Sequence, residues 1–147
     1  MKRITFLLLL TLPLFFVGCT CETYESNAVS IDVAETKAVL ERHLAAFASH
    51  DIEGIVADYS TDAAIISPDA VVLGTEAIRA FFTEIVKAFP QGETEFELDK
   101  TVIQGDMAYI TWHSSVPFMD IPFGTDTFVV HNGKIVRQTF AGVMNMR

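Results

Sequence analysis

Apolar residues first recur at helical spacing between Asp32 and His50. Val39, Leu40, His43, Leu44 and Phe47 share one face, which predicts an amphipathic helix ending near Ser49-His50. Asp32 with Glu35 three residues on forms an Asp variant of the capping box at its start. Asp51 caps a second, short helix with Ile52, Ile55, Val56 and Tyr59 directed inward. Ala63 to Ser67 reads as a short apolar strand, Ser67-Pro68-Asp69 as a turn, and Val71 to Leu73 as a second strand. Gly74-Thr75 opens a third helix. It directs Ile78, Phe81, Phe82, Ile85, Val86 and Phe89 inward and stops at Pro90-Gln91-Gly92. Beyond that point the period changes to two. Glu93 to Ile103, Met107 to Phe118, Gly124 to His131 and Lys134 to Met146 read as strands, the last two joined by a type I′ turn at Asn132-Gly133. Helices followed by an antiparallel meander predict an α+β domain with the helices laid on one face of a curved sheet.

The first 18 residues belong to another pattern. Lys2 and Arg3 precede an apolar run from Ile4 to Val17, and no acidic residue occurs before Glu22. That is the layout of a secretory signal. A membrane-spanning anchor is the alternative, but it needs about 20 apolar residues, and this run is shorter and interrupted by Thr11 and Pro13. Phe16-Val17-Gly18-Cys19 resembles the lipobox of bacterial lipoproteins, with Phe in place of the usual Leu. Cleavage before Cys19 would leave that residue to be acylated. An ordinary Ala-x-Ala cleavage site is the plain alternative, and none lies nearby. Several acyl chains on one cysteine anchor stably, each buried methylene adding about 0.8 kcal/mol. The expected organisation is a signal peptide over residues 1–18, a lipidated Cys19 with a polar tether to residue 31, and one domain over residues 32–147. The address is the cell envelope, on the periplasmic face. Thr20, where a retention signal would place Asp, points to the outer membrane in a Gram-negative host.

Charge narrows the partners. The chain carries a net charge of −9, and loss of Lys2 and Arg3 with the signal peptide takes it to −11. Such a surface repels nucleic acid and anionic membranes, so contact with a membrane is expected through the N-terminal lipid alone. Once Cys19 is acylated, Cys21 has no partner for an internal disulfide. His43 and His50 lie seven apart with no carboxylate or cysteine at ligand spacing, so no metal site is expected. A Gly-rich phosphate loop, a nucleophile elbow and a redox cysteine pair are all missing from the sequence, and no cofactor is expected.

The stretch 43–63 resembles the opening of SnoaL-like proteins. Leu73-Gly74-Thr75-Glu76-Ala77-Ile78-Arg79-Ala80-Phe81-Phe82 is similar to their middle, and Asp126-Thr127-Phe128 with Asn132-Gly133-Lys134-Ile135-Val136 to their end. These proteins belong to the nuclear transport factor two-like superfamily, which includes ketosteroid isomerase and polyketide cyclases. The resemblance spans about residues 33 to 145. It implies a cystatin-like α+β cone, with a curved antiparallel or mixed sheet wrapped around the three N-terminal helices and an apolar pocket at its wide end. It says little of function, because one scaffold serves many chemistries.

Counting without gaps along the isomerase pattern implies that its general-base position falls at Ser67. The oxyanion Tyr falls at His43, supporting tyrosines at Tyr59 and Phe82, and the neutral carboxylic acid at Asp126. Ketosteroid isomerase is itself a standard case of a carboxyl kept protonated by an apolar site. A Ser hydroxyl does not take a carbon-bound proton unaided, so isomerase chemistry is not expected. His43, on the apolar stripe of the first helix, reads either as a buried packing residue or as a pocket hydrogen-bonding group. Simple pairing across the Asn132-Gly133 turn places Asp126 opposite Thr139. There it either faces the pocket or makes a diagonal ion pair with Arg137. His113 shares a strand face with Tyr109, Thr111 and Ser115. Because SnoaL-like cyclases use an Asp and a His from neighbouring late strands, the resemblance implies Asp126 and His113 as the candidate acid–base pair. Phe47, Phe81, Phe82 and Thr139 complete the expected pocket.

Three functions follow from these residues. The first is a lipid-anchored domain binding a small apolar or cyclic molecule near His43, Tyr59 and Asp126. The second is an enzyme of the cyclase, dehydratase or hydrolase type using His113 and Asp126. The third is a homodimeric structural or partner-binding domain, with Trp112 and Ile110 as the contact surface.

Overall fold

The computed structural model describes residues 32–147, so the signal peptide, Cys19 and the tether lie outside the described residues. Helix α1 spans Val33–Ala48, and Asp32 caps it by accepting from the Ala34 amide at 2.8 Å. Helix α2 spans Ile52–Ala57, with the Asp51 carboxylate accepting from the Gly54 amide. A cap of this kind is worth about 1 kcal/mol. Strands β1 (Tyr59–Ile66) and β2 (Val71–Leu73) lead into α3 (Gly74–Ile85), which a short 3-10 turn over Val86–Ala88 prolongs. Strands β3 (Glu95–Gln104), β4 (Met107–Val116), β5 (Met119–His131) and β6 (Lys134–Met146) complete the chain. Tyr59, expected on the inner face of α2, instead opens β1.

The six strands form one curved sheet in the order β2-β1-β6-β5-β4-β3. Every neighbouring pair is antiparallel except β1 and β6, which run parallel, so the sheet is mixed. The helices pack on the concave face. Val39, Leu40 and Ala46 of α1, and Ile78 and Phe82 of α3, bury against Ile65, Ala108, Ile110, Phe128, Val130 and Ile135 of the strands. This is the α+β cone expected. Among the described residues, no helix is long and apolar enough to cross a membrane.

Irregularities in the strands decide which side chains face inward. Asn132 and Gly133 both have positive φ, 51° and 71°, as a type I′ turn requires. His131 pairs with Lys134 and Val130 with Ile135, but Val129 then pairs with Arg137, leaving Val136 as an extra residue. This bulge inverts the facing of β6 beyond it. Asp126 therefore lies opposite Phe140, and Thr139 lies opposite Thr127. Gln138 is buried, while Arg137 and Thr139 are exposed on the convex side. The expected Asp126–Thr139 apposition and the diagonal pair with Arg137 do not form. A second irregularity, between Asp120 and Phe123, places Pro122, which has no amide hydrogen, where the β5 ladder is broken.

Candidate functional site

A cavity of about 220 Å³ lies between the helices and the concave face of the sheet. Its position follows from periodicity. Helix α1 contributes His43, Leu44 and Phe47, and α3 contributes Phe81, Phe82 and Ile85. From the strands come Ile65, Ile110, Trp112, Asp126, Phe128, Gln138 and Phe140, each at an inward-pointing position of its strand. Exposed Phe96 and Met144, with half-buried Ser67, lie at the open side, and His43, Phe82, Asp126, Phe128 and Gln138 are all buried at the closed end.

Asp126 anchors the polar end. It is 7% exposed and accepts two hydrogen bonds of 2.8 Å, from Trp112 Nε1 on Oδ2 and from Gln138 Nε2 on Oδ1. The Tyr59 hydroxyl donates to Gln138 Oε1, which orients the amide and sends its NH₂ toward the carboxylate. Burial raises the Asp126 pKa above the usual carboxylate value, and the hydrogen bonds from Gln138 and Trp112 oppose that rise. Trp112 is itself fixed by stacking on Phe140, with centroids 6.1 Å apart and planes 19° apart, and by a tilted contact to Phe96 at 5.2 Å. Its ring also crosses the backbone of Gly124, where a Cβ would come within 2.4 Å of Trp112 Cε2. Only glycine leaves room for the indole there.

His43 is 2% exposed and meets Tyr59, Phe82 and Phe128 edge-on at centroid distances of 5.4, 5.9 and 5.4 Å. Its Nδ1 points at Asp58 Oδ2 across 3.7 Å, and both atoms are buried without a hydrogen-bond partner. At that distance Asp58 acts on the imidazole through space rather than by a bond. Asp58, the C-cap residue of α2, is 1% exposed, and its Oδ1 accepts from Arg42 Nε at 2.5 Å. Burial pushes the Asp58 pKa up, but His43 and Arg42 outweigh it and hold the group below the usual range. Burial also raises the Tyr59 hydroxyl well above its normal value, and the charges of Asp126 and Asp58 add to the effect. Tyr59 is therefore a proton donor throughout the physiological range.

Several expected residues meet here. His43, Phe47, Ser67, Phe81, Phe82 and Asp126 all line the cavity. Tyr59 stands behind the wall and acts through Gln138. Ser67 is held in its turn, its hydroxyl exchanging hydrogen bonds with Ala70. Thr139 is outside, for the reason given by the β6 bulge. His113 does not reach Asp126 either. Its strand alternates Ala108, Ile110, Trp112, Ser114 and Val116 inward, leaving His113 on the convex face with Nδ1 2.8 Å from Asp99. By the same alternation Trp112 and Ile110 are buried, 6% and 1% exposed, and cannot form the dimer surface expected of them. The sequence reading missed Gln138 and Asp58. The bulge hid the first, and the second had only one signal, an Asp lying between the apolar Val56 and Tyr59. Among the described residues, no three His, Cys, Asp or Glu side chains gather to hold a metal ion.

The SnoaL-like domain family model matches residues 40–138. The chain belongs to this family. No curated protein matches the SnoaL-like chain. Solved structures show the same fold at low identity. A nuclear transport factor two-like protein of unknown function from Mesorhizobium loti superposes with a TM-score of 0.64 at 22% identity, covering 76% of this chain and 93% of its own. Another from Burkholderia xenovorans LB400 gives 0.63 at 20% identity, covering 74% and 83%. A de novo designed protein with a curved β-sheet gives 0.66 at 18% identity, covering 77% and 88%. The likeness to a designed sheet identifies the architecture as the common element. The chemistry rests on this chain's own side chains.

Proposed function

We propose that this SnoaL-like domain binds a small apolar molecule of one or two rings, whose single polar group is held at the closed end by Asp126 and His43. The observation that carries the reading is the division of the cavity: aromatic and aliphatic walls surround it, and Asp126, Gln138 and His43 cluster at one end. Pockets of this composition bind by apolar contact and use a few polar groups for orientation. An apolar cavity of about 150 Å³ takes benzene, so about 220 Å³ suits a bicyclic skeleton. Isomerase chemistry forms no part of this proposed function. Ser67 stands where that reaction needs a carboxylate, and its hydroxyl is already engaged with Ala70.

Export and acylation at Cys19 complete the proposal and place this pocket at the envelope, where apolar molecules partition. Two copies, where they pair, would use the convex face, because Trp112 and Ile110 are enclosed. Trp112 is the only tryptophan of the chain and lines the cavity, so its fluorescence reports occupancy directly. Titration with borneol or bornylamine, bicyclic and non-fluorescent, is expected to shift or quench Trp112 emission with saturation. A linear, non-saturating response to both rejects the proposal.

A further inference from the structure

The nature of the ligand's polar group is written in the closed end of the cavity. Asp126 receives both of its hydrogen bonds from neutral donors, Trp112 and Gln138. Among the described residues, no Lys, Arg or His nitrogen comes within the 4 Å of an ion pair to it. Arg42 is committed to Asp58, and His43 turns Nδ1 toward Asp58. A carboxylate held by acceptor-type bonds and left without a cation is costly to bury. The adjacent imidazole has the same polarity toward the cavity. The Asp58 carboxylate beside Nδ1 favours the tautomer with its proton there, which leaves Nε2 with a lone pair. Among the described residues, no group donates to that nitrogen. Eight aromatic side chains line the cavity that these two acceptors face, among them Phe47, Phe82, Phe128, Phe140 and Trp112, and aromatic rings favour a nearby cation.

From this we infer that the natural ligand is a protonated amine carried on an apolar ring system, its N–H groups donating to Asp126 and His43 Nε2 inside the aromatic walls. The inference rests on the pocket reading and adds the charge of the ligand. A neutral ketone or ether of the same shape would meet two acceptors and supply no hydrogen for either, leaving buried lone pairs opposed.

The test uses two isosteric probes, borneol and bornylamine, titrated into the purified protein with Trp112 emission as readout. At pH 8 the ammonium form is expected to bind about tenfold or more tightly than the alcohol, a ratio worth about 1.4 kcal/mol. Asp126→Asn is expected to remove that preference while borneol still binds. The preference should also shrink as pH falls and Asp126 takes up a proton. The groups facing Asp126 are Trp112 from β4, Gln138 from β6 with Tyr59 behind it, and His43 from α1 backed by Asp58 and Arg42. The comparison on unmutated protein stands even where the Asn variant folds poorly. Equal binding of the two probes, or tighter binding of borneol, overturns the inference and leaves the pocket reading intact. Failure of both probes to bind overturns the two together.

Discussion

Replacing Gly124 by alanine probes the support of the site rather than the site itself. The new methyl would sit 2.4 to 2.7 Å from three atoms of the Trp112 indole, closer than carbon atoms approach. The clash is with a rigid ring, and that ring is confined by Phe140, Phe96 and Phe89. Backbone conformation offers no objection, since Gly124 does not have positive φ. The indole must therefore move, and its bond to Asp126 lengthens or breaks. Overpacking of this kind costs about 1–3 kcal/mol. Losing a hydrogen bond to a charged group costs roughly 1.5–3 kcal/mol. The two overlap, because one displacement causes both, and the sum expected is about 2–4 kcal/mol. Urea denaturation followed by circular dichroism gives the stability, and Trp112 emission is expected to shift to the red as the indole leaves its slot. Trp112→Phe in the same background should recover most of the packing cost, because the smaller ring clears the methyl. A loss below about 0.5 kcal/mol with unchanged emission would refute the claim that Gly124 makes the seat for Trp112.

Burial raises Asp126 from 3.8, so the folded chain binds its proton more tightly than the unfolded chain; stability is expected to fall as pH rises from 3.8 through the raised value, and Asp126→Asn should abolish that slope in urea midpoints. Asp58 behaves oppositely: its pKa lies below 3.8 in the fold, so it stabilises above that pH and the benefit is lost on acidification, a loss that Asp58→Asn should lack. His113→Ala is expected to change stability by less than about 0.5 kcal/mol, since its pairing with Asp99 is exposed, and to leave borneol binding unaltered. Cys19→Ala is expected to release the protein from the membrane fraction and to abolish labelling by radioactive palmitate; retention of label would place the acyl group elsewhere.

Much of this architecture is legible in the one-dimensional pattern. The stripe of Leu40, His43 and Phe47 is enough to aim His43 at the core, and Asn132-Gly133 is enough to pin the last hairpin. What resists reading is local irregularity. The extra residue at Val136 carries no sequence mark, since bulged and regular strands use the same residue types, yet it exchanges Arg137 and Thr139 for Gln138 and Phe140 inside the cavity. On β4 the alternation is plain, but the polar face of Tyr109, Thr111, His113 and Ser115 looks as suited to a binding pocket as the face bearing Trp112. The sheet's curvature decides between them, and bulges such as those between β3 and β4, β4 and β5, and β5 and β6 bend strands in ways that alternation does not mark. Asp58 marks the other limit. Its burial depends on Arg42 reaching it from a different helix, a contact that spacing along the chain does not reveal.

In the proposed complex the ligand's polar group rests between Asp126 and His43, with its apolar body among the phenylalanines. A crystal structure of the protein soaked with bornylamine tests it most directly. Density for the bicyclic skeleton between Phe82 and Phe140, with its nitrogen within hydrogen-bond distance of an Asp126 oxygen, is the result expected. Density confined to the surface groove beside Arg42 and Lys134, or an interior closed by phenylalanine side chains, would contradict it.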